Sequence, residues 1–190
     1  MDAKIVYLMR GLPSCGKSTT ARKLAGPDGV ICETDRFFYT EVGTDPTKYD
    51  YDAARLPEAR QWNFDNFCRA VDRGASPIVV DRGNGLTIES HRYARYAADR
   101  AYRVELAFPE SPWWNEIAVL LKYKPHTLPP LYAWAQKLSN MSRHHHRVPV
   151  ATIRNWMEKW QPDVTIEHIL HYPAQAAAHA QSKAGSAGGE

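Results

Sequence analysis

Short unbroken apolar runs alternate along this chain with longer stretches in which apolar residues recur every three or four positions. Ile5, Val6, Tyr7, Leu8 and Met9 form the first run. It is rich in β-formers and lacks the polar alternation of a half-exposed strand, so it predicts a strand buried on both faces, as in a parallel sheet. Residues 17–25 predict a helix that stops at the breaker pair Gly26-Pro27. Val30-Ile31-Cys32 predict a second strand. Residues 53–73 predict a helix, with Phe64, Phe67, Cys68 and Val71 at helical spacing and Gly74 closing it. Ile78-Val79-Val80 predict a third strand that ends at Asp81; residues 87–100 predict a helix with Thr87 as its N-cap; residues 102–108 predict a fourth strand. From Pro112 the pattern is Trp-rich and mostly helical, with interruptions expected at Pro125 and Pro129-Pro130. Residues 150–160 predict a last helix, and Val164-Thr165-Ile166 read as a fifth strand. Strands that alternate with helices predict an α/β domain, its parallel sheet covered by helices on both faces.

Composition narrows this little. The 190 residues are 44% hydrophobic and 24% charged, which suits one domain with an ordinary core. That domain is expected over residues 1–172. Residues 173–190 are mostly Ala, Gly, Ser and Gln with few large apolar groups, so a disordered tail is expected there, with an Ala-rich helical stub as the alternative. The net charge of +3 does not by itself mark a nucleic-acid binder. Cys15, Cys32 and Cys68 are odd in number and lack metal-ligand spacing, which predicts reduced thiols and a cytoplasmic protein. The opening residues carry Asp2 and Lys4 around a short apolar run, unlike a secretory leader, and no run approaches the roughly 20 apolar residues that span a bilayer.

The chemistry is concentrated after the first strand. Gly11-Leu12-Pro13-Ser14-Cys15-Gly16-Lys17-Ser18 fits G-x-x-x-x-G-K-[ST] without a mismatch. Glycines let backbone N–H groups close on phosphates, and the next helix points its positive end, with Thr19 in its first turn, at the same place. Lys17 would put a cation on the β- and γ-phosphates of ATP, and Ser18 a hydroxyl on Mg²⁺. Cys15 reads either as a redox-sensitive thiol or as a small filler. Ligands of open α/β sheets bind beyond the carboxyl ends of the strands. Asp35 and Asp81 lie there: Asp81 as a magnesium ligand or a turn former, Asp35 as the base for an attacking hydroxyl or a helix cap. Arg36 reads as a holder of an anionic substrate group or a solvated charge. From Ile117 to Met157 there is no Asp or Glu, whereas Lys122, Lys124, Lys137, Arg143, Arg147 and Arg154 are present, with His126 and His144-His145-His146. A phosphotransferase lid needs such cations, and Arg143 and Arg147 are the candidates to hold the transferring phosphoryl group. A nucleic-acid face would use the same charges. Trp113, Trp114, Trp134, Trp156 and Trp160 are expected in helix packing rather than base stacking.

Four features occur in order: the loop from Gly11 to Ser18; Thr34-Asp35-Arg36-Phe37-Phe38; Val79-Val80-Asp81 followed by Asn84; and Phe108-Pro109-Glu110-Ser111-Pro112-Trp113, later joined by Arg147-Val148-Pro149. Together they resemble the polynucleotide-kinase-like P-loop kinases, over about residues 5–160. The resemblance implies a three-layer P-loop NTPase sandwich with a parallel sheet of about five strands and a helical lid over about residues 112–148. It implies ATP and Mg²⁺ as cofactors, Asp35 activating a 5′-hydroxyl, and Lys17 and Ser18 in their loop roles. The chain departs from that pattern at Arg36, where a second acid is usual, and at Asp81-Arg82-Gly83-Asn84; Arg36, Arg82 and Asn84 then lie where the acceptor binds. The expected function is transfer of the γ-phosphate to the 5′-hydroxyl of a polynucleotide or nucleotide. A small-molecule or toxin-type nucleotide-sugar kinase and a non-catalytic nucleotide-dependent binding module are the competing expectations.

Overall fold

A computed structural model describes residues 3–40, 49–84, 86–142 and 148–172. Among them four strands form one parallel sheet in the order β2-β3-β1-β4: β1 Ile5–Met9, β2 Val30–Glu33, β3 Ile78–Asp81 and β4 Arg103–Ala107. Helices α1 Lys17–Ala25, α2 Arg36–Thr40, α3 Leu56–Asp72 and α4 Thr87–Ala98 make the connections, with a 3₁₀ turn, Ala53–Arg55, ahead of α3. The single helix predicted over residues 53–73 is thus a turn and a helix, because Pro57 enters the first helical turn of α3.

The two central strands, β1 and β3, are too apolar to face water and are covered on both faces, whereas the edge strands β2 and β4 are partly exposed. Val6, Leu8, Ile78 and Val80 pack with Phe67, Tyr93 and Ala94 on one face, and Met9 and Val79 with Ala21 and Ala25 on the other. The central pair β1 and β3 brings Leu8 beside Val80, so the segments after both strands leave the sheet at the same edge.

The helical region is α5 Pro112–Lys122, α6 Lys124–Ser142 and α7 Val150–Glu158. It has its own core, in which Trp114, Ile117, Leu121, Leu131, Leu138, Ile153 and Met157 are buried. Pro129 and Pro130 do not interrupt α6. The break is at Thr127, which has φ −125° and ψ 17°, and the prolines then fall in the first turn of the resumed helix, where a missing N–H is harmless. Two further expectations change. Residues 164–166 are not a strand: Thr165 caps a short helix, α8 Ile166–Leu170, its hydroxyl accepting from the His168 amide, so the sheet has four strands among the described residues rather than about five. Thr87 is not the N-cap of α4; Leu86 holds that place, and the Thr87 hydroxyl donates instead to Gln161 Oε1 at 2.8 Å. No helix among the described residues is long and apolar enough to cross a membrane. The tail predicted over residues 173–190 lies outside the described residues.

Candidate functional site

The loop between β1 and α1 is held from outside. Trp113 Nε1 donates to the Ser14 carbonyl at 3.1 Å, and Ser111 Oγ donates to the Cys15 carbonyl at 2.8 Å. A peptide group is planar and trans, so an outward-held carbonyl turns the following amide the other way. The amides of Cys15 and Gly16 are therefore directed into the loop. Among the described residues, the amides from Ser14 to Thr19 donate to no protein acceptor. Ser14 with φ 59° and Gly16 with φ 88° supply the left-handed turns that a nest of inward amides needs. Gly11 donates to the Asn84 carbonyl at 3.3 Å and fits against Pro109 so closely that a Cβ would lie 2.7 Å from the proline Cγ. Lys17 Nζ bridges the loop to the Leu12 carbonyl at 3.0 Å. Ser18 is half-buried and Thr19 exposed at the start of α1. The Leu12 and Cys15 side chains point away from the cradle and are fully buried in the core of the helical region. Burial pushes the Cys15 thiol up to about 12, against the pull of Lys17 and a Leu12 backbone hydrogen bond, which fits a filler and not a redox switch.

Acidic groups collect where β2 and β3 end. Glu33 and Asp81 are register partners, Asp35 follows after one residue, and Asp81 is buried. Burial raises the Glu33 carboxyl to about 7, with Asp81 and Asp35 adding to the rise and Arg36 and Arg22 opposing it. The Thr34 hydroxyl between them is buried and has no protein partner. Asp35 is half-buried, while Arg36 faces solvent. Glu33 had no place in the sequence reading. Its signal was its position two residues before Asp35, but only the strand order makes it a neighbour of Asp81.

Arg82 and Asn84 are occupied in holding the turn after β3. Arg82 Nη1 donates to the Glu89 carbonyl at 3.0 Å, and its Nε is buried without a partner. The Asn84 amide donates to Glu89 Oε2 at 3.2 Å, as does that of Leu86 at 3.4 Å. Gly83, with φ 54°, has room for no Cβ, which would sit 2.6 Å from the Glu89 carboxylate. The turn is thus folded around Glu89, and the Asn84 carbonyl is left to hold Gly11.

The described cations of the acid-free stretch are also engaged. Lys124 donates to the Glu158 and Trp160 carbonyls, Lys137 lies 4.3 Å from the Trp134 ring centroid, and Arg154 lies 4.7 Å from that of Tyr132. Arg143, Arg147 and the three histidines between them lie outside the described residues. The tryptophans pack as expected: Trp114 meets Trp160 edge-on at 5.5 Å, and Arg10, fully buried, sits 4.8 Å from the Trp160 ring. Trp113, with its hydrogen bond to the loop, does more than pack.

A four-stranded parallel sheet whose first strand runs through a Gly-x-x-x-x-Gly-Lys-Ser loop into a helix defines a P-loop NTPase. Residues 6–115 match the family described as AAA domain, and the chain belongs to that family. Human NEDD4-binding protein 2 is 31% identical over 168 residues, which cover 87% of this chain but 8% of that protein. This chain therefore spans a small fraction of that relative's length. A solved structure from the PezAT chromosomal toxin–antitoxin system of Streptococcus pneumoniae is similar over 96% of this chain and 87% of that one, with 15% identity and a TM-score of 0.41.

Proposed function

We propose that this domain is an ATP-dependent kinase that moves the γ-phosphate to a hydroxyl, with the 5′-hydroxyl of a polynucleotide or nucleotide as the acceptor. The observation that carries this is the loop whose Ser14 and Cys15 carbonyls are pulled outward by Trp113 and Ser111, which turns the Cys15 and Gly16 amides inward at the sheet edge where Glu33, Asp35 and Asp81 also lie. The amides from Ser14 to Thr19 receive the triphosphate oxygens. Lys17 leaves the Leu12 carbonyl for the β- and γ-phosphates, a stronger acceptor for an ammonium. The donor set suits magnesium, since the Ser18 hydroxyl and the Asp81 carboxylate are hard oxygens. When bound, the ion neutralises phosphate charge.

Asp35 takes the proton of the acceptor hydroxyl as its oxygen bonds to the γ-phosphorus. The bond from that phosphorus to the β,γ-bridging oxygen breaks, and ADP leaves. Asp35 then returns the proton to solvent. Arg143 and Arg147 complete the reading as lid cations, and Arg36, Arg82 and Asn84 border the acceptor.

Two measurements test this. Calorimetry with ATP and magnesium on the wild type, Lys17→Met and Asp35→Asn should show binding to the first and third. Label transfer from ATP to 5′-hydroxyl RNA, 5′-hydroxyl DNA, nucleosides and nucleotide sugars should fall about 100- to 10,000-fold in Asp35→Asn. Absence of binding to the wild type, or transfer by Asp35→Asn at the wild-type rate, would sink the reading.

A further inference from the structure

The ground beside Asp35 is aromatic. Tyr49 and Tyr51 stack with ring centroids 6.1 Å apart and planes 19° from parallel. Phe38 backs both, edge-on to Tyr49 at 6.1 Å and tilted against Tyr51 at 5.0 Å. Tyr39 leans on Tyr49 at 5.0 Å. The backbone ties this group to the catalytic edge: the Asp50 amide donates to the Phe38 carbonyl at 3.3 Å, and the Phe38 amide to the Asp35 carbonyl at 3.1 Å. Desolvation raises the Tyr49 hydroxyl above its ordinary range, and the next largest cause is the Asp35 carboxylate, which puts the two in electrostatic reach.

Packing alone accounts for Phe37 and Phe38, which are buried under α3. It does not account for Tyr51, which is 49% exposed although stacked on Tyr49 and walled by Phe38. A ring held that way keeps a face in water at little entropy cost to a flat partner. Cations flank it. Arg60 on α3 lies close enough to Arg82, Glu89, Tyr51 and Arg92 to feel all four. Arg82 is held by the Glu89 carbonyl, and Arg92 by the Arg60 carbonyl and the Phe64 ring, so Arg60 is the arginine that faces solvent. Exposed aromatic rings beside arginines are the chemistry that grips single-stranded nucleic acid, through base stacking and phosphate contact.

We propose that Tyr51, stacked on Tyr49 and backed by Phe38, is the platform for the first base of a single-stranded acceptor whose 5′-hydroxyl reaches Asp35, and that Arg60 meets a phosphate of that strand. This rests on the kinase reading above.

The test is steady-state transfer from ATP to two 5′-hydroxyl oligonucleotides, identical except that one has an abasic first nucleotide. Wild type, Tyr51→Phe, Tyr51→Ala and Arg60→Gln are compared, with thermal melting to confirm folding. Tyr51→Ala should raise the acceptor KM about 5- to 150-fold and leave the KM for ATP unchanged; Tyr51→Phe should behave as wild type. The abasic strand should lose a similar factor on wild type and almost nothing further on Tyr51→Ala. Arg60→Gln should lower the slope of log affinity against log salt by about one. If wild type transfers phosphate but Tyr51→Ala handles both strands as wild type does, the platform is wrong and the kinase reading stands. If wild type labels neither oligonucleotide, the polynucleotide reading and the platform fall together.

Discussion

Glu33 and Asp81 are the paired last residues of adjacent parallel strands, so their side chains leave the same face of the sheet side by side. The Glu33 carboxyl, raised from 4.5 to about 7, keeps its proton in the folded protein over a range where the unfolded chain has lost it. The folded state then binds more protons between those two values. This contribution to stability is complete below pH 4.5 and is lost as pH rises through 7. At about 1.4 kcal/mol for each pKa unit, the loss is on the order of 3 kcal/mol. Glu33→Gln should flatten the decline between pH 5 and pH 8 and be the more stable protein at pH 8. Urea unfolding at each pH measures this, and parallel curves for the two proteins would show that Glu33 titrates normally.

The loop should depend on Ser111 and Trp113. Ser111→Ala removes the donor to the Cys15 carbonyl and the acceptor that caps α5 at the Trp114 amide, at 2.8 and 3.3 Å. Stability should fall about 1–2 kcal/mol and ATP affinity about tenfold, with Ser111→Thr restoring both. Trp113→Phe, which keeps the ring and loses the donor, should weaken ATP binding with a smaller change in melting. Unchanged affinity in both variants would mean that the loop holds its own shape.

Gly11 and Gly26 make a contrast. A Cβ on Gly11 would meet Pro109 Cγ at 2.7 Å, Pro109 Cδ at 2.9 Å and Lys17 Cγ at 3.3 Å. Gly11→Ala should cost about 1–3 kcal/mol and displace Lys17, so ATP affinity should fall with stability. Gly26 has φ 61° and ψ −161° with open space where a Cβ would go, so Gly26→Ala should cost about 1–3 kcal/mol of backbone strain and leave ATP affinity alone. Denaturant titration and calorimetry of both variants separate the two effects.

Cys15, despite its place in a phosphate loop, should resist thiol reagents. Its thiol is fully buried and raised to about 12, as is that of Cys32. At pH 8, iodoacetamide followed by peptide mass spectrometry should label the half-buried Cys68 first, and ATP binding should survive that labelling. Rapid modification of Cys15 in the folded protein would contradict this burial.

Much of the scaffold was readable in advance because doubly buried strands are unbroken apolar runs. Residues 5–9, 30–32 and 78–80 announced themselves that way, residues 102–108 did so by partial alternation around Arg103 and Glu105, and the phosphate loop stood between the first strand and a helix with clear stops. Residues 164–166 misled because three β-formers in a row do not carry a period; the Thr165 hydroxyl, which caps α8, decided the outcome. Thr87 failed as a cap because a tertiary partner, Gln161, took its hydroxyl. The candidate site was legible only along the chain. Asp35 and Asp81 follow their strands directly, whereas the Glu33–Asp81 pairing depends on strand order, and the hold of Trp113 on Ser14 joins segments 99 residues apart that follow the neighbouring strands β4 and β1. Arg82 read only as a residue beside the acceptor; that its guanidinium also holds the turn by donating to the Glu89 carbonyl depends on how that turn folds.

Leu12 and Cys15 are rooted among the side chains of α5, α6 and α7, while the residues on either side of their loop belong to the sheet strand β1 and to α1, which packs on that sheet. The cradle is in this sense a party wall between two rooms. A helical region that melts or swings takes the wall with it, and a triphosphate seated in the wall braces both rooms at once. Letting go of the nucleotide and loosening the helices are then one event viewed from opposite sides.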